Sequence, residues 1–333
     1  MKQTIDSELS LVSYIRERFK KRPARLAQRE KLLVGIGDDG AVFDAGGRQV
    51  VVTTDAMAEG IHFDHLYCTP YQVGFKLVTV NVSDVFAMNA NPAYLLLSLT
   101  LPKGLDVGYF TGFMDGVMNA TDMYGVELIG GDITSSMSAV TVSATLIGFT
   151  DAPIKRDGAS VGDLLYVTGH LGDSACALGL LKQRGRPVFL EKGQRVELPL
   201  SWPAMEPLLW KHLMPRPHKP EVASGCASAM MDVSDGLSID LIRLCAESGT
   251  GARVYERQLP MSKEMVEACL YLKEDPLEFC LCGGEDYEYL FTTPVAVDGA
   301  FCIGEIIPEG IIIQDASGTE RELKECGYEH FKD

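Results

Sequence analysis

Long apolar runs are missing from this 333-residue sequence: none approaches the length needed to span a bilayer, so no membrane role is expected. Basic residues are also scarce. With 30 Lys and Arg against 46 Asp and Glu, the formal charge of −16 argues against nucleic acid as a partner, because a phosphate backbone demands a basic surface. The same acidity suits a protein that collects cations. Repeated C-x-x-C pairs are absent from the nine cysteines, which removes the usual zinc patterns. The cysteines are expected to be reduced and mostly in the core, and a redox or metal role for the pair Cys280 and Cys282 is the weaker alternative, since C-x-C alone says little. There is no Gly-x-x-x-x-Gly-Lys-Ser/Thr, so the P-loop class is excluded. No Ser, His and Asp arrangement suggests an acyl nucleophile, and none of the six histidines is paired at helical ligand spacing. Asp6, Glu8, Arg16 and Glu17 occupy the initial amphipathic segment where an export signal would be continuously apolar, so a soluble, cytoplasmic protein is expected.

What is present begins with Val34-Gly-Ile-Gly-Asp-Asp-Gly-Ala-Val-Phe43, two adjacent carboxylates in a glycine turn between apolar runs. Gly35-x-Gly37-x-x-Gly40 matches the dinucleotide fingerprint, with Asp55 following at a plausible ribose-binding distance. That match is rejected. The fingerprint needs a helix after the turn, whereas Ala41-Val-Phe leads through Asp44-Ala-Gly-Gly47 into the β-branched Val50-Val-Val-Thr-Thr-Asp55, a strand. Two anions in such a turn would repel a bare phosphate unless a divalent cation lay between them.

At this length two domains are the default, and the change of texture near Thr150-Asp-Ala-Pro153 divides the chain into residues 1–150 and 151–333. A first helix is expected from Asp6 or Ser7 to about Lys20. Tyr71 to Ala90 reads as a buried helix with Asn81, Asp84 and Met88 on one face, and Asp106 to Tyr124 as a helix stopped by Gly125. Tyr94–Leu101, Val126–Ile129 and Ala139–Phe149 read as strands, the second running into a Gly130-Gly-Asp132 turn. Further on, helices are expected at Gly172 to about Gln183, Pro203–Leu213, about Pro220–Ser228 and after Gly236, with strands at Asp163–Thr168, Ala252–Glu256, Tyr287–Thr292, Cys302–Ile307 and Ile311–Gln314. The fold class is therefore α/β with mixed sheets.

One item of chemistry recurs: an aspartate at the end of an apolar run, usually beside glycine, at Asp39, Asp55, Asp84, Asp132, Asp232 and Asp235. Each alone has a bland reading as a turn residue. Together they do not, because Met230-Met-Asp-Val and Val80-Asn-Val-Ser-Asp-Val-Phe set their acids among large apolar side chains, where an unpaired carboxylate is costly. Hard oxygen ligands from several segments are what magnesium and substrate phosphates require. Asp84 has the least plausible structural excuse of the set. Gly130-Gly131-Asp132 can bring backbone amides close to a phosphate, and Arg156 can complement its charge or be an ordinary loop arginine.

In order along the chain, Gly35-Ile-Gly-Asp-Asp39, Thr53-Thr-Asp55, Glu59-Gly-Ile-His62-Phe63, Val80-Asn-Val-Ser-Asp84, Gly130-Gly-Asp132, Arg156-Asp-Gly, Asp232-Val-Ser-Asp-Gly236, Gly283-Gly-Glu-Asp-Tyr-Glu288 and Gly327-Tyr-Glu-His-Phe331 resemble the thiamine-monophosphate kinase family. The wider superfamily, with aminoimidazole ribonucleotide synthetase, selenophosphate synthetase and a hydrogenase maturation factor, is similar in the acidic motifs. The resemblance implies a two-domain aminoimidazole ribonucleotide synthetase-like fold, a homodimer whose core is the N-terminal domain, and ATP bound between the domains with several magnesium ions. It implies Asp39, Thr53, Thr54, Asp55, Asp84, Asp132, Asp232 and Asp235 as metal ligands, with Asp84, Asp132 and Asp232 at the catalytic centre. Gly131, Asp132, Arg156 and Ser234 would touch ATP, and His62, Glu285 and Tyr328 would contact thiamine monophosphate. Tyr328 stands near where the family pattern has tryptophan, and it keeps an aromatic face for a cationic thiazolium.

The implied reaction is transfer of the terminal phosphoryl group of ATP to thiamine monophosphate. The attacking phosphate has a second pKa of about 6 and needs no general base. Repulsion between two polyanions and alignment of the attacking and leaving oxygens are the obstacles, which metals and positioning address. Two alternatives remain: another ATP-dependent enzyme of the superfamily, or a non-catalytic nucleotide- or metal-binding relative. A selenophosphate synthetase would want a reactive cysteine in its glycine-rich N-terminal segment, and the first cysteine here is Cys68.

Overall fold

The glycine-turn acids and the apolar helix go with one sheet and the Asp-Val-Ser-Asp-Gly loop with a second, and residues of both line one cavity. The computed structural model describes residues 12–17, 32–196 and 200–331. Residues 12–17 are helical, and the rest of the helix expected from Asp6 to Lys20 lies outside the described residues.

The first sheet has six strands in the order β1-β2-β3-β6-β4-β5: β1 (Leu32–Val34), β2 (Ala41–Asp44), β3 (Gln49–Ala58), β4 (Asn91–Pro102), β5 (Glu127–Ser136) and β6 (Thr141–Thr150). Only β4 and β5 run parallel; the other pairings are antiparallel. The glycine turn opens onto β2 and not onto a helix, so the dinucleotide fingerprint fails for the reason expected. β6 alternates half-buried and buried residues along its length, as a strand with one face on a core must. β5 continues through Gly130-Gly-Asp132, where a turn was expected. A Cβ on Gly131 would stand 2.0 Å from the Leu97 carbonyl oxygen, so the glycine permits close approach to β4 and does not reverse the chain.

One helix lies on this sheet and a second packs against that helix. α1 (Pro70–Ala87) starts at a capping box in which the Thr69 side chain and Gln72 serve each other's backbone N–H groups, with Pro70 in the first turn. α2 (Val107–Tyr124) is capped by Asp106 and ends at Gly125 in the left-handed conformation. They pack backbone to backbone: a Cβ on Gly74 would meet the Phe113 carbonyl oxygen at 2.0 Å, and one on Gly116 would meet that of Tyr71 at 1.9 Å. With α2 on one side and the sheet on the other, nearly all of α1 is buried.

The second sheet has seven strands in the order β13-β12-β9-β11-β7-β10-β8: β7 (Leu164–Val167), β8 (Ala229–Asp232), β9 (Gly251–Tyr255), β10 (Tyr289–Thr293), β11 (Phe301–Ile307), β12 (Ile311–Gln314) and β13 (Glu320–Glu322). It too is mixed, with β9 and β12 parallel. Around it lie α3 (Asp173–Arg184), α4 (Trp202–Leu213), α5 (Leu237–Ser248), α6 (Lys263–Leu272) and α7 (Pro276–Cys282). Residues 221–226 form turns where a helix was expected, and α6 and α7 were not anticipated. One expectation is overturned outright. Cys282 and Cys326 form a disulfide, so the cysteines are not all thiols, and Cys282 pairs across 44 residues with Cys326 and not with its neighbour Cys280. The other seven cysteines are free, five of them buried.

Candidate functional site

α1 is the spine of the cleft. Lys76, Val80 and Asp84 follow one another at four-residue spacing, so three consecutive turns point the same way into a cavity of about 390 Å³. β3 supplies Thr53 and Asp55 on one face and β8 supplies Asp232 at its end. Carboxylate oxygens of Asp39, Asp84 and Asp232 all lie within 4.8 Å of one another. Thr53 Oγ1 donates to Asp84 Oδ2 at 2.5 Å, Ser83 Oγ to Asp232 Oδ2 at 2.7 Å, and Asp55 shares a side-chain hydrogen bond with Asp84.

Burial and mutual repulsion act on these acids together. Asp84 is pushed well above the usual carboxylate range by burial and by the charges of Asp55 and Asp232; Asp232 rises through burial and the Asp39 charge. Asp55 rises to about 6, chiefly through burial. One counter-charge is present. Arg156 grips Asp39 with both Nε (3.3 Å) and Nη2, and although burial opposes its charge, the Asp39 carboxylate raises it above its ordinary value. Four clustered acids against one guanidinium leave a net negative, all-oxygen site, which fits a hard divalent cation. Asp39, Thr53, Asp55, Asp84 and Asp232 are the residues that would hold it.

The other expected ligands are placed differently. Asp235 lines the cavity but is engaged by Arg243. Thr54 points to the opposite face of β3 from Thr53 and donates to the Ala144 carbonyl at 2.9 Å. Gly131 and Asp132 are exposed on edge strand β5, and β6 and β4 separate that strand from β3. Three strand spacings put Asp132 about 14 Å from the Asp55 row.

Beyond the acids the cavity changes character. His62, Tyr328 and His330 form an aromatic wall: His62 and His330 rings are 5.1 Å apart, and Tyr328 meets His330 edge-on at 4.9 Å. His62 Nδ1 accepts from the Ala58 N–H, which leaves the proton on Nε2, and burial followed by His330 lowers its pKa. At the floor stands Glu285, a non-glycine residue in the left-handed region (φ 65°). Lys76 Nζ is 2.7 Å from one of its oxygens and His212 Nδ1 is 3.2 Å from the other. Burial alone would raise Glu285, but Lys76 first and His212 second bring it below its ordinary value. His212 itself is pushed down to about 3 by burial and Lys76, and its Nδ1 also lies 3.0 Å from Ser174 Oγ. Ser234 completes the floor, its carbonyl accepting from the Glu285 N–H at 2.7 Å.

Lys76, Ser83, His212 and His330 escaped the sequence reading. Lys76 had a usable signal, a lone cation in an otherwise apolar helix that must be paired to be buried. His212 had none, since its partner lies 73 residues away.

A buried acid cluster that could hold a cation stands beside an aromatic and charged pocket, on a chain with two mixed sheets, the arrangement of an α/β enzyme of the AIR synthase related class. Residues 37–150 match the family described as AIR synthase related protein, N-terminal domain, and residues 160–309 match its C-terminal domain. Thiamine-monophosphate kinase of Aquifex aeolicus is 38% identical over 303 residues, covering 89% of this chain and 92% of that one. The Salmonella typhimurium enzyme of the same name is 33% identical, covering 97% and 98%. A solved structure described as AaThiL complexed with AMPPCP and TMP superposes with a TM-score of 0.82 at 32% identity over 99% of each chain. The chain belongs to the thiamine-monophosphate kinases of the AIR synthase related family.

Proposed function

We propose that the chain transfers the terminal phosphoryl group of ATP to thiamine monophosphate, giving thiamine diphosphate and ADP, with magnesium ions at the acid cluster. The observation that carries this reading is the juxtaposition of Asp39, Asp84 and Asp232 with the Glu285–Tyr328 pocket in one cleft. Magnesium would offset the charge of the two polyanions. The chain's own residues do the rest. Asp84, buried and anchored by Thr53, and Asp232, anchored by Ser83, hold their oxygens still, so little reorganisation is required when the phosphates arrive. Arg156 is placed to exchange Asp39 for a phosphate oxygen, and Ser234 lies beside the path between the acids and Glu285. The ionised Glu285 and the ring of Tyr328 offer a carboxylate and a π-face to the cationic substrate, and His62 offers an Nε2 proton. The acceptor phosphate brings its own nucleophile, which agrees with a pocket in which burial lowers the pKa of His62 and of His212.

Residues 1–150 form one unit and 151–333 the other, with the nucleotide between them. The active form is a homodimer. β5 is paired on one side only and exposes Leu128, Ile129 and Ile133, an apolar edge that a second copy would cover. In that dimer Gly131 and Asp132, too far from the acids of their own chain, lie at the shared face and reach the partner's site. Among the described residues no helix is long and apolar enough to cross a membrane, and the protein works in the cytoplasm.

ADP release with thiamine monophosphate, set against thiamine and against no acceptor, tests the activity. Release that is independent of the acceptor would refute it. Ile133→Lys is expected to halve the mass in solution and abolish turnover; an active monomer would refute the dimer.

A further inference from the structure

The loop Asp232-Val-Ser-Asp-Gly236 is the middle layer of a three-layer stack. On one side lies Gly283–Tyr287, hydrogen-bonded to it through Glu285 N to Ser234 O (2.7 Å) and Tyr287 N to Val233 O (2.9 Å). On the other lies the segment Cys326-Gly-Tyr328, where Tyr328 N donates to Asp235 O at 2.9 Å and Cys326 N to Ser238 Oγ at 3.3 Å. Gly327 is pressed against the middle layer, since a Cβ there would meet Asp235 O and the Ile239 side chain at 2.7 Å. The Cys282–Cys326 disulfide joins the two outer layers. Cys282 is the last residue of α7, three residues before Glu285, and Cys326 is two residues before Tyr328.

We propose that Cys282 and Cys326 are positioning residues of the substrate site, their disulfide holding the Tyr328–His330 wall opposite Glu285 so that opening it weakens capture of the thiamine substrate while leaving phosphoryl transfer intact. This rests on the reading that the pocket takes thiamine monophosphate. Tyr328 follows its cysteine after one glycine (φ 143°), so the covalent tie acts on the ring's own backbone and adds to the hydrogen bond that Tyr328 N makes to Asp235 O. Asp84 sits on α1, Asp39 in the turn before β2 and Asp232 at the end of β8, and neither cysteine lies on these elements. The effect must therefore separate: the thiamine constant moves and the ATP constant does not. A dithiol reductant breaks the S–S bond, delivering two electrons and two protons to give the Cys282 and Cys326 thiols and becoming a disulfide itself.

The test uses the full-length protein, oxidised and after dithiothreitol treatment, with alkylation and mass spectrometry counting seven or nine thiols. Turnover and equilibrium dialysis of thiamine monophosphate are measured in both forms, with Cys326→Ser and Cys282→Ser alongside. About a ten-fold rise in KM and Kd for thiamine monophosphate is expected on reduction, as for loss of preorganisation, with kcat and the ATP constant within two-fold. Both serine variants should match the reduced wild type and ignore dithiothreitol. Equal thiamine constants in the two forms overturn the inference, as does a protein that alkylates at nine sites without reductant. Failure of either form to bind or turn over thiamine monophosphate overturns the functional reading, and this inference with it.

Discussion

Replacing Lys76 by methionine removes the cation that holds Glu285 ionised while keeping the shape of a long unbranched side chain in α1. Lys76 is only 4% exposed, and its Nζ sits 2.7 Å from the Glu285 carboxylate. Deleting one partner of a buried pair leaves an uncompensated charge and costs about 3–5 kcal/mol. Here the orphan is Glu285, whose side chain keeps 27% exposure and the His212 contact, so the lower end applies, about 3 kcal/mol. Because Lys76 belongs to the first unit and Glu285 to the second, the loss is expected in the joint unfolding of both. Urea denaturation measures it. The double-mutant cycle with Glu285→Gln should return a coupling of about 2 kcal/mol, since the glutamine no longer needs the cation. Function follows the same logic: burial drives Glu285 toward the neutral form once Lys76 is gone, and KM for thiamine monophosphate rises more than KM for ATP. A Lys76→Met protein within about 0.5 kcal/mol of wild type, with an unchanged thiamine constant, would refute this account of the floor.

His212 adds a pH signature. Its ordinary pKa is about 6.5, and burial in the fold pushes it down to about 3, so the unfolded chain binds the extra proton between those values. Its contribution to stability is therefore intact above pH 6.5 and lost as pH falls toward 3. Relative to His212→Gln, wild type should lose about 2–3 kcal/mol between pH 6.5 and 4.5, read as the change in their stability difference by urea unfolding. A difference constant over that range would show that His212 is accessible to protons in the fold. Asp84→Asn and Asp232→Asn should each lower the rate of ADP release by orders of magnitude, yet in chelator both should be as stable as wild type or more so, because each removes a carboxylate from a repelling cluster. Near-normal activity in either variant, or a large loss of stability, would contradict a cation-binding role.

Periodicity and punctuation carried a good share of the architecture. The Gly-Asp-Asp-Gly turn was legible as strand-turn-strand because no helix-forming pattern followed it, α1 because a long apolar run ends at the Asn91-Pro92 break, and α2 because Gly125 stops it. What misled was local: Gly130-Gly131 looked like a turn, but the glycines serve a neighbouring strand, and glycine used for close approach reads the same as glycine used for reversal. The aspartates were legible as candidates because carboxylates at the ends of apolar runs have few structural excuses.

The sequence by itself determined which residue types were available: hard oxygen donors in excess, no P-loop, and aromatic and carboxylate groups in a recognisable order. Only the tertiary structure decided which of them meet. It brought Asp39, Asp84 and Asp232 within 4.8 Å and left Asp132 on a distant edge, a difference set by strand order, which no local pattern encodes. It also turned two cysteines 44 residues apart into a bond and gave Lys76 and His212 a common partner. A charge can be buried only where an opposite group arrives from elsewhere in the chain, and the folded topology alone determines what arrives.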